Sequence, residues 1–175
     1  MIADRSANTL QAVSFVVQGA LLAFILVFVS LVPVHIGSVD FRLTFLPLIA
    51  VVIWPDKASY TWSVICLFCI GLLRDVIGFG PSGVWALTYL IVFVIFFGES
   101  DTKKGGAEYW VMFLIACALA FVIVSAIGSI VLGVWPQWSA LLIDAIISIV
   151  AFPFVYILVK TIGRIFGLSV SKEER

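Results

Sequence analysis

Charge is what this sequence has least of. Of its 175 residues only 11% are Asp, Glu, Lys or Arg, against 63% hydrophobic, and the mean hydropathy is +1.25. A soluble domain this small keeps much of its surface in water and could not hide so much hydrocarbon. The solvent that suits such a chain is a lipid bilayer. No polar stretch is long enough to hold a second core, so residues 1–175 read as a single integral-membrane domain. The few charges also balance, ten basic against ten acidic. That leaves no electrostatic footprint for a nucleic-acid partner.

Side chains that do chemistry are equally scarce. The one histidine, His35, lies beside Pro33 in the first outer loop. No Ser/His/Asp set, metal-ligand cluster or phosphate-binding glycine loop can be assembled. The run Gly78-Phe-Gly80-Pro-Ser-Gly83 has glycines but no lysine, and the wrong spacing for either nucleotide fingerprint. The expectation is a protein that is not an enzyme and holds no cofactor or metal. Three cysteines, Cys66, Cys69 and Cys117, all lie in apolar runs. Cys66 and Cys69 spell CxxC, but one turn apart on a lipid-immersed helix they read as small packing side chains. An internal repeat of the kind that marks many transporters is also missing.

What the sequence does have is apolar runs separated by short polar ones. A bilayer core takes ~20 apolar residues, with ~17 at the low end. On that measure six spans are expected, at about 12–32, 42–54, 58–73, 83–98, 109–133 and 138–160. The first apolar stretch runs from Leu10 to Val34, longer than the ~7–15 residues of a secretory signal core. It reads as an uncleaved first span. The second and third are short and need cover from their neighbours. Pro153 falls inside the sixth and should kink it.

Charge sets the orientation. With the N-terminus inside, the cytoplasmic segments hold Arg5, Lys57, Lys103, Lys104, Lys160, Arg164, Lys172 and Arg175, and the outer ones only Arg42 and Arg74. This is a strong positive-inside bias, with both termini cytoplasmic. Trp135 and Trp138 then fall at the outer interface.

The same topology gathers charge in the outer leaflet. Arg42 opens the second span, Arg74 and Asp75 close the third, and Asp144 lies six residues into the sixth, about 9 Å down. A lipid-facing aspartate there is costly, so Asp144 should face the bundle and pair with Arg42 or Arg74. The expected role is structural. A proton relay would lack stepping stones across the cytoplasmic half. Small-xxx-small spacings at Gly19/Ala23, Ala116/Ala120, Ser125/Ser129 and Gly163/Gly167 suit close helix packing.

One segment carries a family resemblance. GLLRDVIGFGPSGVWALTYLIV, Gly71 to Val92, resembles the signature of the rod shape-determining protein MreD family. Gly71, Asp75, Gly78, Gly83, Ala86 and Leu87 fall on its pattern, with Gly80 in the same glycine loop. Upstream, the run from Arg42 to Leu48 resembles the start of the family's second span. Arg74 departs from the pattern, where an apolar residue is common. The resemblance implies an all-α, six-helix bundle, similar to the substrate-binding subunits of energy-coupling-factor transporters. It implies a multi-pass scaffold in the bacterial cytoplasmic (inner) membrane, serving regulation of cell shape and peptidoglycan synthesis within the elongasome. The implied partners are MreC and, through it, a SEDS glycosyltransferase, a class B penicillin-binding protein and MreB filaments, besides membrane lipid. Partner docking is then expected of Arg42, Gly71, Arg74, Asp75, Gly78, Gly80, Gly83 and Asp144. The rival expectation is a small-solute-binding subunit of an energy-coupling-factor-type transporter, with its pocket near Asp144, Arg42 and Arg74. The outer segments are short and mostly apolar, which favours the scaffold. Asp75 has a further expected part, capping local backbone amides beyond its own helix.

Overall fold

A computed structural model describes residues 2–36, 39–97, 105–132 and 138–165. Its elements are α1 (Ile2–Leu31), β1 (Val34–Ile36), β2 (Val39–Phe41), α2 (Leu48–Val52), α3 (Tyr60–Ile77), α4 (Val84–Phe96), α5 (Gly106–Leu132) and α6 (Trp138–Ile165). Four of the helices are long and apolar enough to cross a membrane: α1 over Gln11–Leu31, α3, α5 and α6. The chain is a polytopic helical membrane protein.

Two of the expected spans come out differently. The fourth, α4, has 13 residues, a rise of ~20 Å against a ~30 Å hydrocarbon core. The second is further from a crossing helix, because its helical part is the five residues of α2, about 7 Å long. The cause is Pro47. It has no N–H to give a continuing helix, and its ring would clash with the preceding turn. The segment instead winds through successive tight turns: Leu46 N–H to Leu43 O, Leu48 to Phe45 O, Ile49 to Leu46 O and Ala50 to Pro47 O, at 3.0–3.1 Å. These bonds satisfy the backbone, and every residue from Phe45 to Val52 is buried. Irregular backbone survives at membrane depth only under such cover.

Two contacts on α3 measure how far this segment travels. Its start meets Arg74, through Thr44 O. Its end meets Ser63, whose Oγ accepts the Trp54 indole N–H at 2.8 Å. Ser63 and Arg74 are eleven residues apart on α3, or about 16 Å. The segment therefore threads roughly half the membrane along the inside of the bundle.

Around it the other helices form an open ring. The segment's helix α2 touches α1, α4 and α5; α3 lies between α1 and α4; α4 packs on α5, and α5 on α6. Close approach is built from small residues. A Cβ at Gly19 of α1 would sit 3.1 Å from the Trp54 ring and Pro55 Cδ. Ala116 and Ala120 of α5 are fully buried, whereas Gly167 of the Gly163/Gly167 pair lies outside the described residues. Ring pairs join α5 to α6: Phe113 stacks on Phe152 at 4.7 Å, and Tyr109 meets Tyr156 tilted at 5.8 Å. Pro153 lies within α6, and Trp135, expected at the outer interface, lies outside the described residues.

A two-stranded antiparallel hairpin, β1 with β2, occupies the first connection and pairs His35 with Asp40. It is a small departure from the all-α expectation.

Candidate functional site

The charged pair Arg74 and Asp75 does not close its helix. The helix α3 continues one turn beyond the expected end of the third span, to Ile77, so Arg74 and Asp75 lie inside its last turn. Both are buried, at 5% and 1% exposure. Being neighbours on a helix, they point about 100° apart and find different partners.

Asp75 reaches the start of α4. Its Oδ2 accepts the Gly83 N–H at 2.8 Å, and its Oδ1 accepts the Trp85 N–H at 3.1 Å. Those amides are among the donors that a helix leaves unsatisfied at its N-terminus. A carboxylate there also meets the positive end of the helix dipole. Asp75 thus caps a helix that is not its own, as the sequence suggested for it, and fixes the α3–α4 joint. Gly83, the N-cap, has φ +98°, a left-handed conformation natural to glycine.

About 6 Å of helix before Asp75, the joint is closed by Gly71. A Cβ there would lie 2.3 Å from Ala86 Cα and 2.6 Å from Ala86 N. Only hydrogen fits, so α3 and α4 cross with backbones in contact. At the other end of the joint, Gly78 is the C-cap of α3, and a Cβ on it would meet Arg74 O at 2.9 Å. Gly80 has open space around its Cβ position. Between them stands Phe79, at φ +52° and 98% exposed. The Gly80 N–H donates to Asp75 O at 3.1 Å and the Phe79 N–H to Val76 O at 3.4 Å. This bond pair ends a helix with a left-handed residue, normally glycine, at the position Phe79 occupies. A side chain there costs about 1 kcal/mol.

Arg74 is held by three groups. Its Nη1 donates to Tyr89 Oη at 3.1 Å, its Nη2 donates to Thr44 O, and its Cζ lies 3.5 Å from the centre of the Trp85 ring. Trp85 and Tyr89 are one turn apart on α4, so both present to the same side. A guanidinium over a desolvated tryptophan face gains on the order of 2 kcal/mol from cation–π attraction.

Asp144 comes to the same place from α6, but not as an ion pair. Its Oδ1 accepts the backbone N–H of Arg42 at 3.1 Å, and its Oδ2 accepts the Thr44 hydroxyl at 2.6 Å. Neither guanidinium lies within 4 Å of the carboxylate. The expected pairing with Arg42 or Arg74 is therefore corrected. Thr44 stands between the two charges, its carbonyl taking Arg74 and its hydroxyl serving Asp144. Arg42 contributes only backbone and is exposed.

Of the expected residues, Gly71, Arg74, Asp75, Gly78 and Gly83 build one joint, and Arg42 with Asp144 joins it through Thr44. Gly80 supplies a single backbone bond. Thr44, Trp85 and Tyr89 were not singled out from sequence. Thr44 had a signal available, as the one polar residue between Arg42 and Pro47. The arrangement is a set of satisfied hydrogen bonds clamping α3, α4, α6 and the buried segment. Among the described residues no group of three or more His, Cys, Asp or Glu is placed to hold a metal ion. Cys66, Cys69 and Cys117 are free thiols.

The site and fold define a polytopic membrane protein with a hydrogen-bonded helix clamp. Compared with family models, with curated proteins and with solved structures, the chain matches none.

Proposed function

We propose that this chain is a non-enzymatic scaffold subunit of the bacterial rod (elongation) complex, resembling the MreD family and resident in the cytoplasmic membrane. In this reading it holds MreC by its helix faces. Through MreC it serves the SEDS glycosyltransferase, the class B penicillin-binding protein and MreB filaments that maintain cell shape.

One observation carries the reading. Four of the six residues that make the resemblance, Gly71, Asp75, Gly83 and Ala86, fall on a single α3–α4 joint, and each has a distinct physical task there; Gly78 caps α3, and Leu87 is exposed. A motif kept for shape suits a protein whose product is a surface. The chemistry of the buried charges is consistent with that. Arg74 donates its hydrogen bonds to protein groups, and Asp75 and Asp144 accept theirs from protein groups. A solute-binding subunit would instead turn such groups toward a ligand.

Depletion of the protein from its native cell tests the reading. The expected result is loss of rod shape, with cells widening and rounding before growth stops. Cells that keep their shape but lose uptake of a small solute would overturn it in favour of the transporter subunit.

A further inference from the structure

Phe79 is the one described non-glycine residue with a positive φ, and its ring is almost wholly exposed. Glycines flank it at 78 and 80, yet the left-handed position itself carries the aromatic. Packing against the described residues does not offset that strain, because the side chain is 98% exposed. A strained, conformationally fixed and exposed residue points outward to its use.

Its level in the membrane can be read from the fold. Thr44 ties Arg74 and Asp144 together at one depth. Phe79 lies five residues beyond Arg74 on the α3 side, and Trp138 lies six residues from Asp144 on the α6 side. Trp138 is about 9 Å beyond the tie by helical rise; α3 rises about 4–5 Å from Arg74 to Ile77, and the turn at Gly78 and Phe79 carries the chain further the same way. Trp138 and Phe79 are therefore level, and both are exposed. At the opposite end, exposed Tyr60 and Trp62 of α3 and Trp110 of α5 form a second aromatic tier. From Trp62 to Ile77, α3 rises about 23 Å. A ~30 Å core bounded at Trp62 then ends close to Phe79. Exposed Trp and Tyr side chains at two levels are the belts of a bilayer-embedded protein, while exposed phenylalanines such as Phe68 and Phe154 lie between them. The rest of the tip, Gly78 to Gly83, carries no charge, and Val76 beneath it is exposed.

We propose that Phe79 is a lipid anchor, its ring seated in the headgroup–acyl boundary on the membrane face where Trp138 lies. The left-handed backbone holds the ring away from the bundle and toward lipid. Anchored so, the α3–α4 tip cannot sink or rise, and the buried cluster beneath it stays at a fixed depth. The occupant is lipid rather than a soluble domain, because the tip is apolar and level with the belt.

The test uses the full chain in nanodiscs of phosphatidylethanolamine and phosphatidylglycerol. A spin label is placed by Phe79→Cys in a background carrying Cys66→Ala, Cys69→Ala and Cys117→Ala. Its collisions with oxygen are compared with those of a water-soluble nickel reagent. Labels from Lys57→Cys and Ile146→Cys give the aqueous and lipid references. The label at 79 is expected to favour oxygen several-fold more than the label at 57. A value equal to that at 57 would put the tip in water and overturn the proposal, leaving the ring to a soluble partner. A second measurement needs no label. Phe79→Gly relieves the left-handed strain, so in detergent it should melt no lower than the parent. A fall of several degrees would show that the ring packs within the protein, and would overturn the proposal too.

Discussion

Gly71 of α3 and Ala86 of α4 meet backbone to backbone: a Cβ on Gly71 would stand 2.3 Å from Ala86 Cα. Nothing at that crossing is the flexible end of a side chain, so nothing can yield cheaply. Gly71→Ala should therefore destabilise the protein by about 3 kcal/mol, the upper part of the range for overpacking. Gly80→Ala, with open space around it, should stay within about 0.5 kcal/mol. Thermal unfolding in detergent, followed by size-exclusion of the surviving fold, compares the two directly.

Asp75 holds the amides of Gly83 and Trp85. Asp75→Ala leaves the buried Trp85 amide and the part-buried Gly83 amide unpaired, at about 3 kcal/mol. Asp75→Asn keeps one acceptor oxygen and should lose only about 1 kcal/mol. Amide exchange adds a local readout. In Asp75→Ala the Gly83 and Trp85 amides should exchange faster, while those in the middle of α5 hold.

Thr44 serves Asp144 with its hydroxyl and Arg74 with its carbonyl. Thr44→Val and Asp144→Ala should then be coupled by about 1–2 kcal/mol in a double-mutant cycle. Arg42 offers Asp144 only its backbone N–H, so Arg42→Ala should unfold in denaturant at the same midpoint as the parent. A large loss in that variant would restore the ion pair that the structure lacks.

The Trp54 indole N–H is buried and donates to Ser63 Oγ. Ser63→Ala removes its acceptor and should cost about 1–2 kcal/mol. It should also shift the tryptophan emission, since the indole loses its polar partner. Ser129→Ala, whose hydroxyl only bonds back to Ser125 O on its own helix, should be nearly silent.

How far the sequence spoke depends on which force was in charge. Apolar length governs α1, α5 and α6, and their expected and observed limits agree to within a few residues apart from the extended ends of α1 and α6. The second span failed because apolar composition says where a segment lies and not how it winds. Pro47 was visible, but its effect required the cover that α1, α4 and α5 provide. The buried cluster was legible as a level: charges at similar depth must converge. Its partners were not, because a backbone N–H or carbonyl leaves no mark in a sequence. Hence Asp144 was expected on a guanidinium and instead holds Arg42's amide. Asp75 was easier, since a short carboxylate before a glycine-rich turn has few things to do but cap.

The central claim, a scaffold that works through bound partners, is tested most directly by isolating the protein from its native membranes in mild detergent and identifying what comes with it in stoichiometric amount. The account predicts MreC, with the wall synthases in lesser amount and retained through it. Stoichiometric recovery of transporter ATPases without MreC would contradict it.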